Sequence, residues 1–206
     1  ELGIILVLTQ TGDFNRCLES VTKIEDDKTR LKVLSEIAAG LAKKGDLKQA
    51  LKISQEMMDP EIRDQTFQQI IRALAGSSRF EDAVSVLDQM TDQKQKNDAL
   101  QIILWRVSEA GDAKLAWELI QTIENPSNRN FPLASSAGDL AKAGKSAEAL
   151  EMANRIQTQS TKTVAIKGIA EALAERGETT EALALFEQYP TKSPRIQRSI
   201  LKKIAT

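Results

Sequence analysis

A basic residue returns at a fixed interval along this chain. Arg30, Arg63, Lys96, Arg129, Lys162 and Arg195 stand 33 residues apart. A row of guanidinium and ammonium groups at one spacing is a candidate ladder for an acidic partner. Each of the six falls in the first turn of a helix read below, where the helix dipole opposes positive charge. A structural account therefore carries more weight. Each base can pair with the acid four residues before it, as in Asp26/Arg30, Asp59/Arg63 and Asp92/Lys96, or bond to the carbonyl end of a neighbouring helix. Exposed pairs of this kind contribute under about 1 kcal/mol each.

Other chemistry is scarce. The chain has no histidine, so it lacks the commonest general acid/base and the commonest transition-metal ligand. Its single cysteine, Cys17, excludes a disulfide within the chain and a cysteine-rich metal site. No nucleophile–base pair is visible, and the glycines stand alone without the Lys-Ser/Thr of a phosphate loop. The expectation is a protein that is not an enzyme, with no cofactor and no metal. The acids Glu25, Asp26 and Asp27 read as capping and solvation at a helix boundary. With a net charge of −1, 28 basic and 29 acidic residues leave no excess for a dedicated nucleic-acid or anionic-membrane binder.

The elements that must position these residues share the same period. Gly12-Asp13-Phe14, Gly45-Asp46-Leu47, Ser78-Arg79-Phe80, Gly111-Asp112, Gly144-Lys145 and Gly177-Glu178 each open a unit. Each is followed by a small residue: Cys17, Ala50, Ala83, Ala116, Ala149 and Ala182. A second amphipathic helix carries Leu34, Ile37, Ala38 and Leu41, then Phe67, Ile70, Ile71 and Leu74, then Leu100, Ile103, Leu104 and Val107. Asp26, Asp59, Asp92 and Asn125 precede that helix as N-caps, and Pro60 and Pro126 suit its first position. The turn glycines suit the left-handed residue beyond its end. Loops this short set neighbouring helices antiparallel. A repeat of this length implies units that stack on their neighbours.

The helix pair closed by Gly-Asp-aromatic-x-x-Ala-Leu resembles the tetratricopeptide repeat over essentially the whole chain. The period is 33 residues rather than the family's usual 34. The resemblance implies an all-α, right-handed α-solenoid of antiparallel helix pairs, six units plus a leading helix. The expected organisation is a single solenoid domain over residues 1–206, with units beginning at 12, 45, 78, 111, 144 and 177. Residues 1–11, with Ile4, Ile5 and Leu8 in core register, read as the second helix of a truncated unit. That helix is apolar on further sides, so the chain reads as a fragment and the helix as a possible self-association surface. Ser199, Lys202 and Lys203 replace core residues in the last helix, which reads as a cap.

The resemblance also implies that the second helix of each pair lines a concave groove. Trp105 stands there where the other units have Ala39, Arg72, Gly138 and Glu171, so its position is not a core position. A half-exposed tryptophan is a common binding anchor. Filling space beside Ala134 and Gly138 is its plain alternative. The candidate partner-binding set is Gln68, Arg72, Gln101, Trp105, Glu109, Phe131 and Lys167. Trp117 reads as core, Cys17 as a buried small residue, and Met57, Met58 and Met90 as core filler.

The functional expectation is a scaffold that binds a peptide or partner helix, with no nucleic acid and no membrane insertion. A structural or self-assembling section of a longer array is the alternative, and a regulatory domain of an enzyme the weaker one. The compartment is open, with the cytoplasm slightly favoured.

Overall fold

The computed structural model describes residues 12–189. The leading helix and its self-association, Arg195, and the closing cap lie outside the described residues. Within them the chain is all-helical, with eleven α-helices, one 3-10 turn and no strand. It divides into two compact units between Ile103 and Leu104.

The first unit holds α1 (Phe14–Val21), α2 (Asp27–Lys44), α3 (Leu47–Gln55), α4 (Pro60–Ala75) and α5 (Phe80–Leu87). The division falls inside α6 (Gln93–Glu109). The second unit continues with α7 (Ala113–Gln121), then a 3-10 turn (Pro126–Arg129) leading into α8 (Asn130–Lys142). It ends with α9 (Ser146–Asn154), α10 (Gln159–Glu175) and α11 (Thr179–Gln188). Short and long helices alternate, as the two-helix period requires.

The caps form as the sequence implies. The Asp26 carboxylate accepts from the Thr29 N–H at 2.8 Å, and Asp92 from Gln95 N–H at 2.7 Å. Asp59 accepts from Glu61 N–H at 2.9 Å, and Asn125 from Ser127 N–H at 3.0 Å. Each long helix of the first three pairs ends alike. Asp46 N–H donates to Leu41 O at 2.9 Å, Arg79 N–H to Leu74 O at 3.0 Å, and Asp112 N–H to Val107 O at 3.1 Å. This bond needs a left-handed residue at the turn. Glycine supplies it at Gly45 (φ 107°) and Gly111 (φ 79°), whereas Ser78 takes it as a non-glycine at φ 58°.

Packing follows the register. Cys17, Ala50, Ala83, Ala116, Ala149 and Ala182 are all fully buried, so each short helix meets its neighbours through one small side chain. A larger residue there would overpack the contact by about 1–3 kcal/mol. In the first unit α2 packs on α3 and α4, and α4 on α5. In the second, α8 packs on α9 and α10, and α10 on α11. Ile37, Ile70, Ile103 and Ile169 occupy one core position and are wholly buried. Each contributes about 1.5–3 kcal/mol of apolar burial. Met57 and Met90 are buried with them, but Met58 is 97% exposed, which corrects its reading as core. It lies just past the end of α3, one residue beyond the position that turns inward.

Trp117 also departs from expectation. It is half-buried on α7, and the Arg155 guanidinium stacks on its ring at 4.0 Å from the centroid. Its equivalents Leu51, Val84 and Leu150 are half-buried as well, so this column lies at the margin of the core in every unit. A cation covers its outer face, worth about 0.5–1 kcal/mol at such a site.

Candidate functional site

The basic ladder is structural where its contacts are seen, though with partners other than the expected ones. Arg30 pairs with Asp27, not Asp26, and donates from Nη1 to Ile24 O at 3.1 Å. Arg129 repeats that bond, donating from Nε to Ile123 O at 2.8 Å and from Nη2 to Gln121 O at 3.0 Å. Lys96 meets Asp88 at 3.8 Å rather than Asp92. The capping acids are already engaged with backbone N–H groups, so Arg30, Lys96 and Arg129 reach back to the C-terminal end of the preceding short helix. Unpaired carbonyls and the negative end of the dipole both favour a cation there. Lys162 lies instead over the Tyr189 ring at 5.6 Å from its centroid.

The candidate binding residues lie on the long helices of both units. In the first unit Gln68 is half-buried and donates from Nε2 to Gln95 O at 3.0 Å. Arg72 is exposed and Gln101 half-buried. In the second unit Trp105 is 48% exposed and Phe131 70% exposed. The Arg106 guanidinium stacks on Trp105 at 4.1 Å from the ring centroid and donates from Nη1 to Glu109 at 2.9 Å. Lys167 pairs with Glu171 at 3.6 Å. Trp105 is therefore neither core nor free: about half of it is covered, and a cation lies over one ring face.

Two features escaped the sequence reading. Val164 is 60% exposed on α10, one period after Phe131 on α8. Where these helices pack, a Cβ placed on Gly168 would lie 3.8 Å from the Gly138 Cα, so the backbones come close. The repeat alignment already paired positions 131 and 164, and comparing that column would have shown two apolar residues at an outward position.

The second is Asp64 on α4, which is completely buried. Its Oδ2 accepts from Thr91 N–H at 2.9 Å, Thr91 Oγ1 at 3.0 Å and Asp92 N–H at 2.6 Å. Its Oδ1 is buried and has no hydrogen-bond partner among the described residues, and the same holds for Gln95 Oε1. Both residues line one recess of ≈ 870 Å³.

Comparison with known proteins covers part of this geometry. Residues 66–94 match the PPR repeat. The matched segment takes in most of α4, all of α5 and the start of α6, and it supports a helical repeat family. No curated protein matches the chain. A solved structure, the crystal structure of Ton1535 from Thermococcus onnurineus NA1, aligns at 15% identity. The alignment covers 100% of this chain and 99% of that one at a TM-score of 0.27, a likeness too slight to support a shared fold. Among the described residues no helix is long and apolar enough to cross a membrane.

Proposed function

We propose that this chain is a non-enzymatic interaction scaffold, a right-handed solenoid of six helix pairs plus a leading helix, whose long helices bind a peptide or partner helix. Repeats of the PPR and TPR-like kind commonly mediate protein or RNA binding, which supports a binding role. The observation that carries the reading is the exposure of Trp105, Phe131 and Val164. Among the described residues they are three of the five large hydrophobic side chains left exposed, and all three stand on the long helices of the second unit. An outward aromatic pair on helices that bury their other apolar residues is what a binding anchor requires.

Glu109 and Lys167 would add polar contacts within the second unit, and Gln68, Arg72 and Gln101 are candidate contacts on the first. The test is capture of a partner by the wild-type chain and by Trp105→Ala. Loss of about tenfold or more in affinity supports the anchor. A partner retained undiminished places the binding surface elsewhere.

RNA is the second reading, favoured by the PPR match over residues 66–94. Charge gives it no support, because from residue 66 to 98 the bases Arg72, Arg79, Lys94 and Lys96 are offset by Glu81, Asp82, Asp88, Asp92 and Asp98, leaving no basic excess for a phosphate backbone. Single-stranded RNA bound with a steep salt dependence would displace the peptide reading.

A further inference from the structure

We infer that the polar recess of the first unit is a binding site for an arginine side chain carried by a partner peptide. The inference rests on the scaffold reading and names the chemistry of one contact within it.

Asp64 and Gln95 both line the recess, and Asp64 Oδ1 and Gln95 Oε1 are buried with no hydrogen-bond partner among the described residues. A buried acceptor left unpaired is costly, and native proteins rarely keep one without a use. Two such acceptors lining the same recess call for a donor from outside. The surrounding charge fixes its sign. Asp59, Glu61, Asp92 and Asp98 join Asp64 in lining it, against Lys94 as the one cation among the lining residues.

A guanidinium matches this arrangement. It is always charged, accepts nothing, and presents five N–H donors in a planar fork that can engage two acceptors at once. A divalent cation fits less well, since among the described residues no group of three or more ligating side chains is placed to hold a metal. Gln68, already in the candidate binding set, lines the same recess, so a peptide crossing the first unit would pass its mouth.

Asn130 shows how to test this without unfolding the chain. It stands two periods after Asp64, is buried, and its Oδ1 accepts from Gln157 N–H at 2.9 Å. An asparagine can therefore hold the loop from this position. In Asp64→Asn the amide oxygen keeps the bonds to Thr91 and Asp92. The amide NH₂ then replaces the free acceptor with a donor, which repels a guanidinium.

The experiment is a titration of the ¹⁵N-labelled chain with the peptide acetyl-Ala-Ala-Arg-Ala-Ala-amide, followed by NMR. Saturable shifts are expected at the Thr91, Asp92 and Gln95 amides and the Gln95 side chain. Affinity should fall about tenfold or more in Asp64→Asn, in Gln95→Met, and with citrulline in place of arginine, which keeps the shape and loses the charge. Equal binding by Asp64→Asn, or by the citrulline peptide, would overturn the site. So would shifts produced there by calcium chloride but not by the peptide. Shifts confined to the Trp105 indole and Phe131 would overturn the arginine site while leaving the scaffold reading intact.

Discussion

Asp64 and Asn130 hold the same register position, one in each unit, and do the same mechanical work with different chemistry. Each is buried on a long helix and accepts from the backbone of the loop 27 residues further on. The aspartate brings a charge and an unpaired oxygen. The asparagine spends its other end on Ser127 O, donating from Nδ2 at 3.1 Å. The outward column beside them diverges as well. Lys32, Gln65 and Asp98 fill it in the first unit, Phe131 and Val164 in the second. One repeat thus carries polar residues at this outward position in one unit and apolar ones in the other. Core positions are buried in every unit and so stay mostly apolar, even where their size varies, as at Ala38, Ile71, Leu104 and Ala137. Outward positions answer to nothing inside the unit and can specialise.

The sharpest way to break the comparison is at the two latches. Asp64→Leu removes three hydrogen bonds to the next loop, and a loss of about 2 kcal/mol is expected in urea unfolding. Asn130→Leu strands a single N–H and should cost about 1 kcal/mol. Equal losses would mean that the extra bonds to Thr91 and Asp92 add nothing.

The turns give the next largest effects. Gly144→Ala places a Cβ at φ 84° and 2.5 Å from the Arg176 Nη1. The left-handed strain, less the entropy that glycine costs, predicts a loss of about 1 kcal/mol. Ser78→Gly relieves the same strain in the first unit and should raise stability by up to about 1 kcal/mol. Thermal unfolding of both variants would show the opposite signs.

Smaller still is the effect of the exposed apolar pair. Phe131→Ser and Val164→Ser should each change stability by no more than about 0.5 kcal/mol, because little is buried to lose. A larger loss would show that these side chains support the second unit rather than serve a partner.

The last prediction concerns pH. The Thr29 side chain and then its backbone N–H hold the Asp26 carboxyl below its ordinary value of 3.8. A depressed folded value means that the cap stabilises above that ordinary value and fades as pH falls through the lowered one. Wild type and Asp26→Ala should therefore differ in stability at neutral pH and converge in strong acid.

The helices and their ends were legible in the sequence because their causes are local. Asp26, Asp59, Asp92 and Asn125 cap from within three residues of the N–H they hold. The small residues at Ala50 and its equivalents marked the close helix contacts, since only a side chain of that size fits. Trp105 was legible as an exception to its column. Trp117 was misread because its column is apolar, and an apolar column does not show that it lies at the margin of the core, half-buried at Leu51, Val84 and Leu150 too, with Arg155 covering the indole.

Asp64 was invisible as a site for a further reason. Its partners lie 27 and 28 residues away, and whether an oxygen is left unpaired depends on how a loop folds back on it. By itself the sequence determined the period, the alternation of helices, their caps and the columns that pack inward, because those follow from spacing and local hydrogen bonding. Only the tertiary structure decided which cation covers which ring, which carbonyl each ladder base reaches, and which buried acceptors are left without a donor. Those outcomes depend on groups that meet in space after the helices have packed.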